Sequence, residues 1–419
     1  MRTILLTIVC FIVTAPAFAQ TIAITNAKVY PVSGPAINNG TVLIRDGLIV
    51  AVGTQVQVPA GAQTIDATGK IVTPGLINSL TEVGVVEIGQ VRETNDAGAR
   101  GTNNIAAAFK VWDGLNPSST VIAPTRSEGV TTVIVTPRGG LVSGQAAAID
   151  LGSGHVSDLL RRGPVAMIAQ VSSAAGAGTN ARGELIGKLR GLFDDVKYFM
   201  SHRGDYDRAQ TRTLSAPIAD LEALVPVVEG KMPLVIDADS MSEIDAALAL
   251  ARDYKLQIMI SGGAEAWMTA ERLAAAHVTV LTGAMNNIPG SFATLNQRQE
   301  NAALLRRAGV TVVLVGNTDG DENRFNARNI KYEAGNAVAY GMSYDDALRA
   351  VTLTPAEAFG LSDHIGSLQA GRDANLVIWS GDPFEFSTQA EHVFIKGREI
   401  KEKSRQDLLT DRYKPGAQR

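Results

Sequence analysis

The feature that most constrains the fold is a series of short apolar runs in the middle of the chain. Helical patterns lie between several of them, for example at residues 242–255 and 266–277. The runs are GVTTVIVTP (129–137), GPVAMIAQV (163–171), MPLVIDAD (232–239), LQIMISGG (256–263), VTVLTG (278–283) and VTVVLVGNTDG (310–320). Apolar strands separated by amphipathic helices are typical of a parallel sheet covered on both faces. This number of units favours a closed (β/α)8 TIM barrel of the α/β class, with an open doubly wound sheet as the alternative.

The segments on either side of these runs, residues 22–72 and 373–400, show a β pattern without helices between the strands. Residues 22–72 alternate apolar and polar side chains, and Asp46-Gly47 is a hairpin signal between two β-rich runs. Residues 373–383 and 390–400 are again short β segments with glycine turns. We therefore predict a composite β-sandwich domain from residues 20–72 and 363–405, a barrel from residues 73–362, and a polar tail at 406–419.

Residues 1–19 have the pattern of a cleavable secretory signal peptide. Arg2 precedes an apolar run at 4–13 and an Ala17-Phe18-Ala19 cleavage site. Cleavage would remove Cys10, the one cysteine, so the mature chain would have no disulfide and no thiolate ligand. No later segment is apolar over the length that a membrane span requires. We therefore expect a periplasmic or secreted protein without a membrane span.

Composition and loop motifs narrow the expected partners. A net charge of −4 and an aromatic content of 5% give no reason to expect nucleic acid. The Gly-rich stretch 136–147 follows a strand and could contact a substrate at the barrel mouth, but it lacks the spacing of a phosphate-binding loop. Ser143 has no histidine in a recognisable partner position, which disfavours a serine triad. We expect a small-molecule substrate or ligand, with association into a homo-oligomer as the default assumption.

Three stretches, in their order and spacing, resemble the amidohydrolase superfamily, specifically its exported imidazolonepropionase-like branch. They are RDGLIVAVG (45–53), IDATGKIVTPGLIN (65–78) and MSYDDALRAVTLTPAEAFGLSDHIGSLQAGRDANLVIWSGDP (342–383). The resemblance implies a (β/α)8 barrel with a metal site at the carboxyl ends of its strands. It also implies hydrolysis of a C–N or related bond in a cyclic or linear amide by metal-activated water.

The ligand pattern of that family is largely missing here. Its first barrel strand runs Pro-Gly-x-x-Asp-x-His-x-His, whereas Pro74 and Gly75 are followed here by Asn78, Leu80 and Glu82. The other family positions correspond to Ala166 for a bridging lysine, Asp237 for the strand 5 histidine, Ser261 or Gly262 for the strand 6 histidine, and Asp319 for the strand 8 aspartate. Only the last of these keeps the family residue.

A set of carboxylates remains at these positions. On the family's geometry Glu82, Asp237 and Asp319 would face one cavity, and further acidic residues lie nearby at Asp239, Asp321 and Glu322. Carboxylates in one cavity repel each other unless a cation is present. Oxygen ligands favour Mg²⁺, Ca²⁺ or Mn²⁺ over zinc. One hypothesis is therefore a single divalent metal held by Glu82, Asp237 and Asp319, with Asp319 as the catalytic proton shuttle.

The alternative assigns the same residues structural roles. Asp237 would cap the helix that begins near Ser240, and Asp319 would cap the loop after the last barrel strand. Glu82 would pair with Arg92 or another cation. The histidines of the chain, His155, His202, His277, His364 and His392, form no H-x-H motif, and none ends a predicted barrel strand. We expect structural roles for all of them.

Two functions follow from these alternatives. The first is an exported hydrolase of C–N bonds, either non-peptide or in cyclic amides, with an altered metal site. The second is a catalytically inactive barrel that binds a small ligand or a partner subunit. The missing ligands support the second directly, whereas the family resemblance supports the first by analogy of fold.

Overall fold

The computed structural model describes residues 21–171, 181–208, 210–285, 289, 291–316, 325–401 and 405–414. The predicted signal peptide and Cys10 lie outside the described residues. No helix within the described ranges is long and apolar enough to cross a membrane.

The strands of the described chain form two sheets. They are β1 (Thr21–Val29), β2 (Ile37–Arg45), β3 (Leu48–Gly53), β4 (Gln63–Asp66), β5 (Ile71–Pro74), β6 (Leu76–Thr81), β7 (Val130–Val135), β8 (Val142–Asp150), β9 (Leu160–Gln170), β10 (Leu234–Ala238), β11 (Ile258–Gly262), β12 (Thr279–Thr282), β13 (Val312–Leu314), β14 (Leu376–Trp379), β15 (Ala390–Ile395) and β16 (Arg398–Glu399).

The helices alternate with strands through the second half of the chain. They are α1 (Ile122–Ser127), α2 (Val156–Leu159), α3 (Arg182–Ser201), α4 (Arg203–Asp207), α5 (Ile218–Val228), α6 (Met241–Tyr254), α7 (Ala270–Ala275), α8 (Asn301–Arg307), α9 (Ile330–Ala339), α10 (Tyr344–Ala350), α11 (Leu353–Ala358) and α12 (Arg405–Tyr413). The segment predicted as a polar tail thus contains the helix α12, on which Leu408 is exposed.

Strands from both ends of the chain share one sheet, in the order β16-β15-β14-β5-β1-β2-β3, with β4 beside β1. The predicted hairpin at Asp46-Gly47 is confirmed, because β2 and β3 pair antiparallel with Arg45 opposite Leu48. Both turn residues have positive φ, 52° and 82°, as the turn of a tight hairpin requires. The packing of two sheets into a sandwich, and the domain boundaries, stay predictions.

The second sheet is the predicted barrel. In the described chain its strands follow sequence order from β6 to β13, and β13 lies beside β6, so that the sheet is nearly closed. The six apolar runs become β7, β9, β10, β11, β12 and β13. The strict (β/α)8 prediction is wrong at β8, which pairs antiparallel with both β7 and β9. Gly139 and Gly140, at φ of +85° and +76°, lie in the turn that brings the chain back directly from β7 to β8 without a helix.

Alternation along the strands defines the inside of the barrel. Ile168 of β9, Val235 of β10 and Met259 of β11 are register partners and belong to one buried apolar cluster. Leu281 of β12 and Val313 of β13 pack in the same cluster. A second, larger cluster lies between the strands and the surrounding helices. Residues two positions after the inward-facing ones therefore also point inward, at the carboxyl ends of the strands.

Gly129 fixes the contact between the start of β7 and the terminal sheet. Its φ is +86°, and a Cβ there would lie 2.2 Å from Cη2 of Trp379, a fully buried side chain whose indole N–H donates to Thr73. We expect Gly129→Ala to lower the free energy of unfolding by about 3 kcal/mol, since backbone strain and overpacking add. Urea unfolding followed by circular dichroism measures this loss.

Gly61→Ala is the matched control for this substitution. Gly61 has nearly the same φ, +85°, but nothing lies within 4 Å of a Cβ built there. In Gly61→Ala we expect only the cost of holding an alanine at positive φ, about 1 kcal/mol. Equal losses in the two variants would show that the contact with Trp379 is not the cause.

Candidate active site

The first barrel strand departs from regular geometry at the positions that the family uses for metal ligands. The pairing of β6 with β7 shifts between Asn78 and Thr81, and Leu80 has a φ of +59°. A bulky residue with positive φ is unusual and marks a bulge in the strand. Leu80 packs against the apolar interior cluster, so this position supplies hydrophobic packing.

Glu82 lies just beyond β6, with 3% of its surface exposed. Its Oε1 is 3.1 Å from Nη1 of Arg138, which follows the end of β7 by three residues. The prediction that Glu82 pairs with a cation is therefore confirmed, with Arg138 as the cation observed. The partly exposed guanidinium compensates the charge of a carboxylate that would otherwise be costly to bury.

Asp237 points into the barrel from the end of β10. It lies two residues after the inward-facing Val235, and its register partners are Gln170 on β9 and Ser261 on β11. The Ser261 hydroxyl lies 3.5 Å from Asp237 Oδ1. These side chains form a polar layer, here called the mouth layer (Gln170, Asp237 and Ser261), above the apolar interior.

The alternative role of Asp237 as a helix cap is wrong. The N-cap of α6 is Ser240, whose hydroxyl accepts from the Glu243 N–H, while Glu243 in turn accepts from the Ser240 N–H. The capping sequence S-x-x-E supplies this reciprocal pair of bonds. Asp237 therefore does not cap α6, and we assign its side chain to the mouth layer.

Asp239 and Gly262 complete this side of the mouth. Asp239 accepts from the Ala264 N–H at 3.3 Å. A Cβ on Gly262 would lie 2.4 Å from Asp239 Oδ1 and 3.5 Å from Asp237 Oδ1, and φ at Gly262 is +83°. A histidine at position 262 would therefore crowd the two carboxylates. The glycine lets both approach the backbone of β11.

Asp319, the predicted proton shuttle and third ligand, lies outside the described residues, as do Asp321 and Glu322. Ala166, at the family's lysine position, is fully buried in the interior cluster. Asn78 donates to the Ala327 carbonyl and accepts from the Gly316 N–H, so it joins β6 to the chain around β13. Of the predicted trio, the structure thus places Glu82 and Asp237 at the mouth.

The five histidines lie away from the mouth, as predicted. His155 begins α2, His202 stacks on Tyr198, and His277 lies between α7 and β12. His392 Nδ1 is 2.6 Å from Glu399 in the terminal sheet, and the His364 carbonyl accepts from Asp373. None of these positions is the carboxyl end of a barrel strand.

Known proteins resemble this chain in sequence and in fold. The family model described as Amidohydrolase family matches residues 294–400. An imidazolonepropionase from Mesorhizobium japonicum is 25% identical over 385 residues, covering 82% of this chain and 87% of the relative. A solved amidohydrolase structure from Thermotoga maritima superposes with a TM-score of 0.82 at 26% identity, covering 91% of this chain and all of that one. These matches support membership of the amidohydrolase superfamily.

A longer relative shows the same likeness. Amidohydrolase tasK from Hapsidospora irregularis is 23% identical over 400 residues, and this chain spans 39% of its length. The alignment covers 85% of the present chain, so the resemblance is not confined to the segment that the family model matches.

Members of the amidohydrolase superfamily generally depend on a metal, and the described residues do not fit a histidine-held centre. The strand 1 positions are Leu80 and Glu82, and Glu82 already faces the guanidinium of Arg138. Within the described ranges, no group of three His, Cys, Asp or Glu side chains could hold a metal ion. The carboxylate trio of the hypothesis needs Asp319 and stays a prediction.

The sequence pattern placed the stretch 136–147 at the mouth without singling out Arg138, and it missed Gln170. Both carried a signal, because each is polar and ends or closely follows an apolar barrel strand. In a barrel of this kind, such positions are where substrate-binding residues concentrate.

Proposed function

We propose that this protein hydrolyses a carbon–nitrogen bond of a small molecule at the carboxyl-end mouth of its barrel, with an altered site in place of the superfamily's histidine centre. The observation that carries the proposal is the mouth layer. A carboxylate, a carboxamide and a hydroxyl point inward from three adjacent strands above an apolar interior. The mouth of a barrel is the usual place for catalysis in this architecture.

The residues of the mouth layer supply what amide hydrolysis requires of a protein. Water attacks the carbonyl carbon, the C–N bond breaks, and the nitrogen leaves with a proton. Asp237 has an oxygen that can accept the proton of the attacking water. The amide of Gln170 and the hydroxyl of Ser261 can donate to the substrate carbonyl. The proton that Asp237 takes from the water must then reach the leaving nitrogen, and Asp319 stays the predicted shuttle for this transfer.

A second function has one specific observation in its favour. The guanidinium of Arg138 lies where a cation beside Glu82 would be needed. A barrel in which this ion pair replaces the metal would bind a small ligand without hydrolysing it. The two proposals differ in whether the protein turns a substrate over, and the metal content tests the altered metal site of the first.

We expect the mature protein, purified without chelator or metal resin, to contain about one divalent ion per chain, with Mg²⁺, Ca²⁺ or Mn²⁺ preferred. Mass spectrometry of the metals gives this number directly. Glu82→Gln and Asp319→Asn should each lose the ion, because each removes a proposed carboxylate ligand. Asp253→Asn, which changes a carboxylate on the outer helix α6 paired with Arg190, should keep it.

A protein without bound metal, even after incubation with Mg²⁺, Mn²⁺ and Zn²⁺, would contradict the altered metal site. Turnover by such a metal-free protein would retain the hydrolase proposal with Asp237 and Asp319 alone. Binding of ligands without turnover would establish the second function.

The cellular setting is part of the proposal. The signal-peptide pattern at 1–19 supports a periplasmic or secreted protein, and amino-terminal sequencing of the exported form tests cleavage after Ala19. Association into a homo-oligomer is a further proposal, which sedimentation of the mature protein tests.

A further inference from the structure

A cavity of about 900 Å³ opens beside the barrel mouth. Three arginines line it: Arg92 and Arg100 from the segment after β6, and Arg138 after β7. Gln170, at the end of β9, lines it as well. We call this cavity the arginine pocket (Arg92, Arg100, Arg138 and Gln170). A volume of this size suits a small-molecule ligand.

The charge of the arginine pocket is of one sign. Among its described lining residues there is no Asp or Glu. Arg138 is compensated by Glu82, but Arg92 and Arg100 make no ion pair with any described residue. Clefts lined by one sign of charge focus the electric field and attract counter-ions. Guanidinium groups in addition match the planar geometry of a carboxylate or the oxygens of a phosphate.

The pocket also has hydrogen-bonding groups that no described residue satisfies. The side-chain oxygen of Gln170 is buried, and it accepts no hydrogen bond from the described residues. Rotating its amide by 180° places the NH₂ group there, so that the amide can donate to a bound anion. The N–H groups of Gly139 and Gly140 likewise donate to no described group. Buried polar atoms are normally paired, so the Gln170 oxygen indicates a bound ligand or water at this place.

The pocket is continuous with the mouth layer through Gln170. Gln170 and Asp237 are register partners on neighbouring parallel strands, which are spaced about 5 Å apart. An anionic group held by the arginines would therefore leave the rest of a small ligand next to Asp237. Arg138 also connects the arginine pocket with the barrel mouth, since it lines the pocket and pairs with Glu82.

We propose that the arginine pocket binds the oxyanion group, a carboxylate or a phosphate, of a small molecule whose remaining part reaches the mouth layer. Anion binding at the pocket follows from the side chains that line it. That the anion belongs to the substrate rests on the proposed hydrolase function, which makes the substrate class an amide with an acidic group.

Isothermal titration of the whole mature protein at low salt tests this proposal. The probes are N-acetyl-L-aspartate, its uncharged diamide, and inorganic phosphate. The expected result is binding of at least one of the two anions, at least tenfold weaker in the double variant Arg92→Gln/Arg100→Gln. If N-acetyl-L-aspartate binds, its uncharged diamide should bind at least tenfold more weakly. Both arginines are exposed, so the double variant should fold.

The control is the double variant Arg203→Gln/Arg208→Gln. These two exposed arginines pair with Glu222 and Asp205, far along the chain from the pocket, so this variant should keep the wild-type affinity for both anions. Phosphate binding without carboxylate binding would assign the pocket to phosphate esters, and the reverse would assign it to carboxylates. Absence of binding by both anions, or undiminished binding in the Arg92→Gln/Arg100→Gln variant, would overturn the proposal. Because binding and not turnover is measured, failure of the hydrolase proposal leaves this result interpretable.

Discussion

Replacing Asp150 by Asn is expected to lower the free energy of unfolding by about 3–5 kcal/mol, the usual cost of breaking a buried ion pair from one side. Asp150 ends β8 with 1% of its surface exposed. Its carboxylate lies 2.8 Å from Nη2 of Arg161 on β9 and 3.2 Å from Nζ of Lys396 in the terminal sheet. The substitution would leave a nearly buried guanidinium with less compensating charge.

The ion-pair network around Asp150 connects the barrel to the terminal sheet. Arg161 also lies 2.7 Å from Asp373, which precedes β14. Thr132 on β7 donates to Asp150 Oδ1 at 2.9 Å, and the same oxygen accepts from Arg161 Nε at 2.9 Å. Burial alone would lower the pKa of Arg161, but the charges and hydrogen bonds of Asp150 and Asp373 hold its pKa above the ordinary value. The guanidinium therefore stays charged and depends on its partners.

Urea unfolding of the wild type and of Asp150→Asn, followed by circular dichroism, measures the loss. Asp253→Asn is the control, because Asp253 pairs with Arg190 at 2.7 Å on the protein surface, and exposed ion pairs contribute little. A loss in Asp150→Asn no larger than that in the control would show that the network is not needed to hold the sheet against the barrel.

Sequence patterns predicted the barrel because most of its strands are short apolar runs with helical patterns between several of them. They did not predict β8, whose sequence VSGQAAAID is rich in small residues with weak β propensity. All nine residues of β8 are buried, so its strand conformation depends on its two neighbours. Tertiary packing determines the conformation of such segments, and a local sequence pattern does not predict it.

The candidate site was predictable only in part, for a similar reason. The inward direction of Asp237 follows from strand alternation, which a sequence displays. The bulge at Leu80 breaks that alternation in β6, so the pairing of Glu82 with Arg138 could not be read from spacing. Arg138 and Gln170 meet at one pocket although they are 32 positions apart in the chain, because β7 and β9 flank β8 in the sheet.

Asp237→Asn is expected to reduce turnover by about 10²–10⁴-fold, the contribution typical of a carboxylate that moves a proton in the transition state. The substrates to screen are small amides that carry a carboxylate or phosphate, with amine release as the signal. Asparagine keeps the size of the side chain and can still hydrogen-bond with Ser261, so the fold should be unchanged. The variant should therefore keep its affinity for N-acetyl-L-aspartate or phosphate.

This combination separates a catalytic role from a structural one. Loss of turnover with intact anion binding and an unchanged urea midpoint would place Asp237 in the chemical step, as the proton acceptor if the variant keeps its divalent ion and as a metal ligand if it loses the ion. Loss of both, together with a lower midpoint, would mean that Asp237 supports the packing of β10 against β9 and β11. Ser261→Ala is the companion variant: it removes a proposed donor to the substrate carbonyl, so turnover should fall by about 10²-fold, whereas the lost bond to Asp237, long at 3.5 Å, should leave stability nearly unchanged. Unchanged turnover in Asp237→Asn would remove the mouth layer from the mechanism and leave the proton transfer to Asp319.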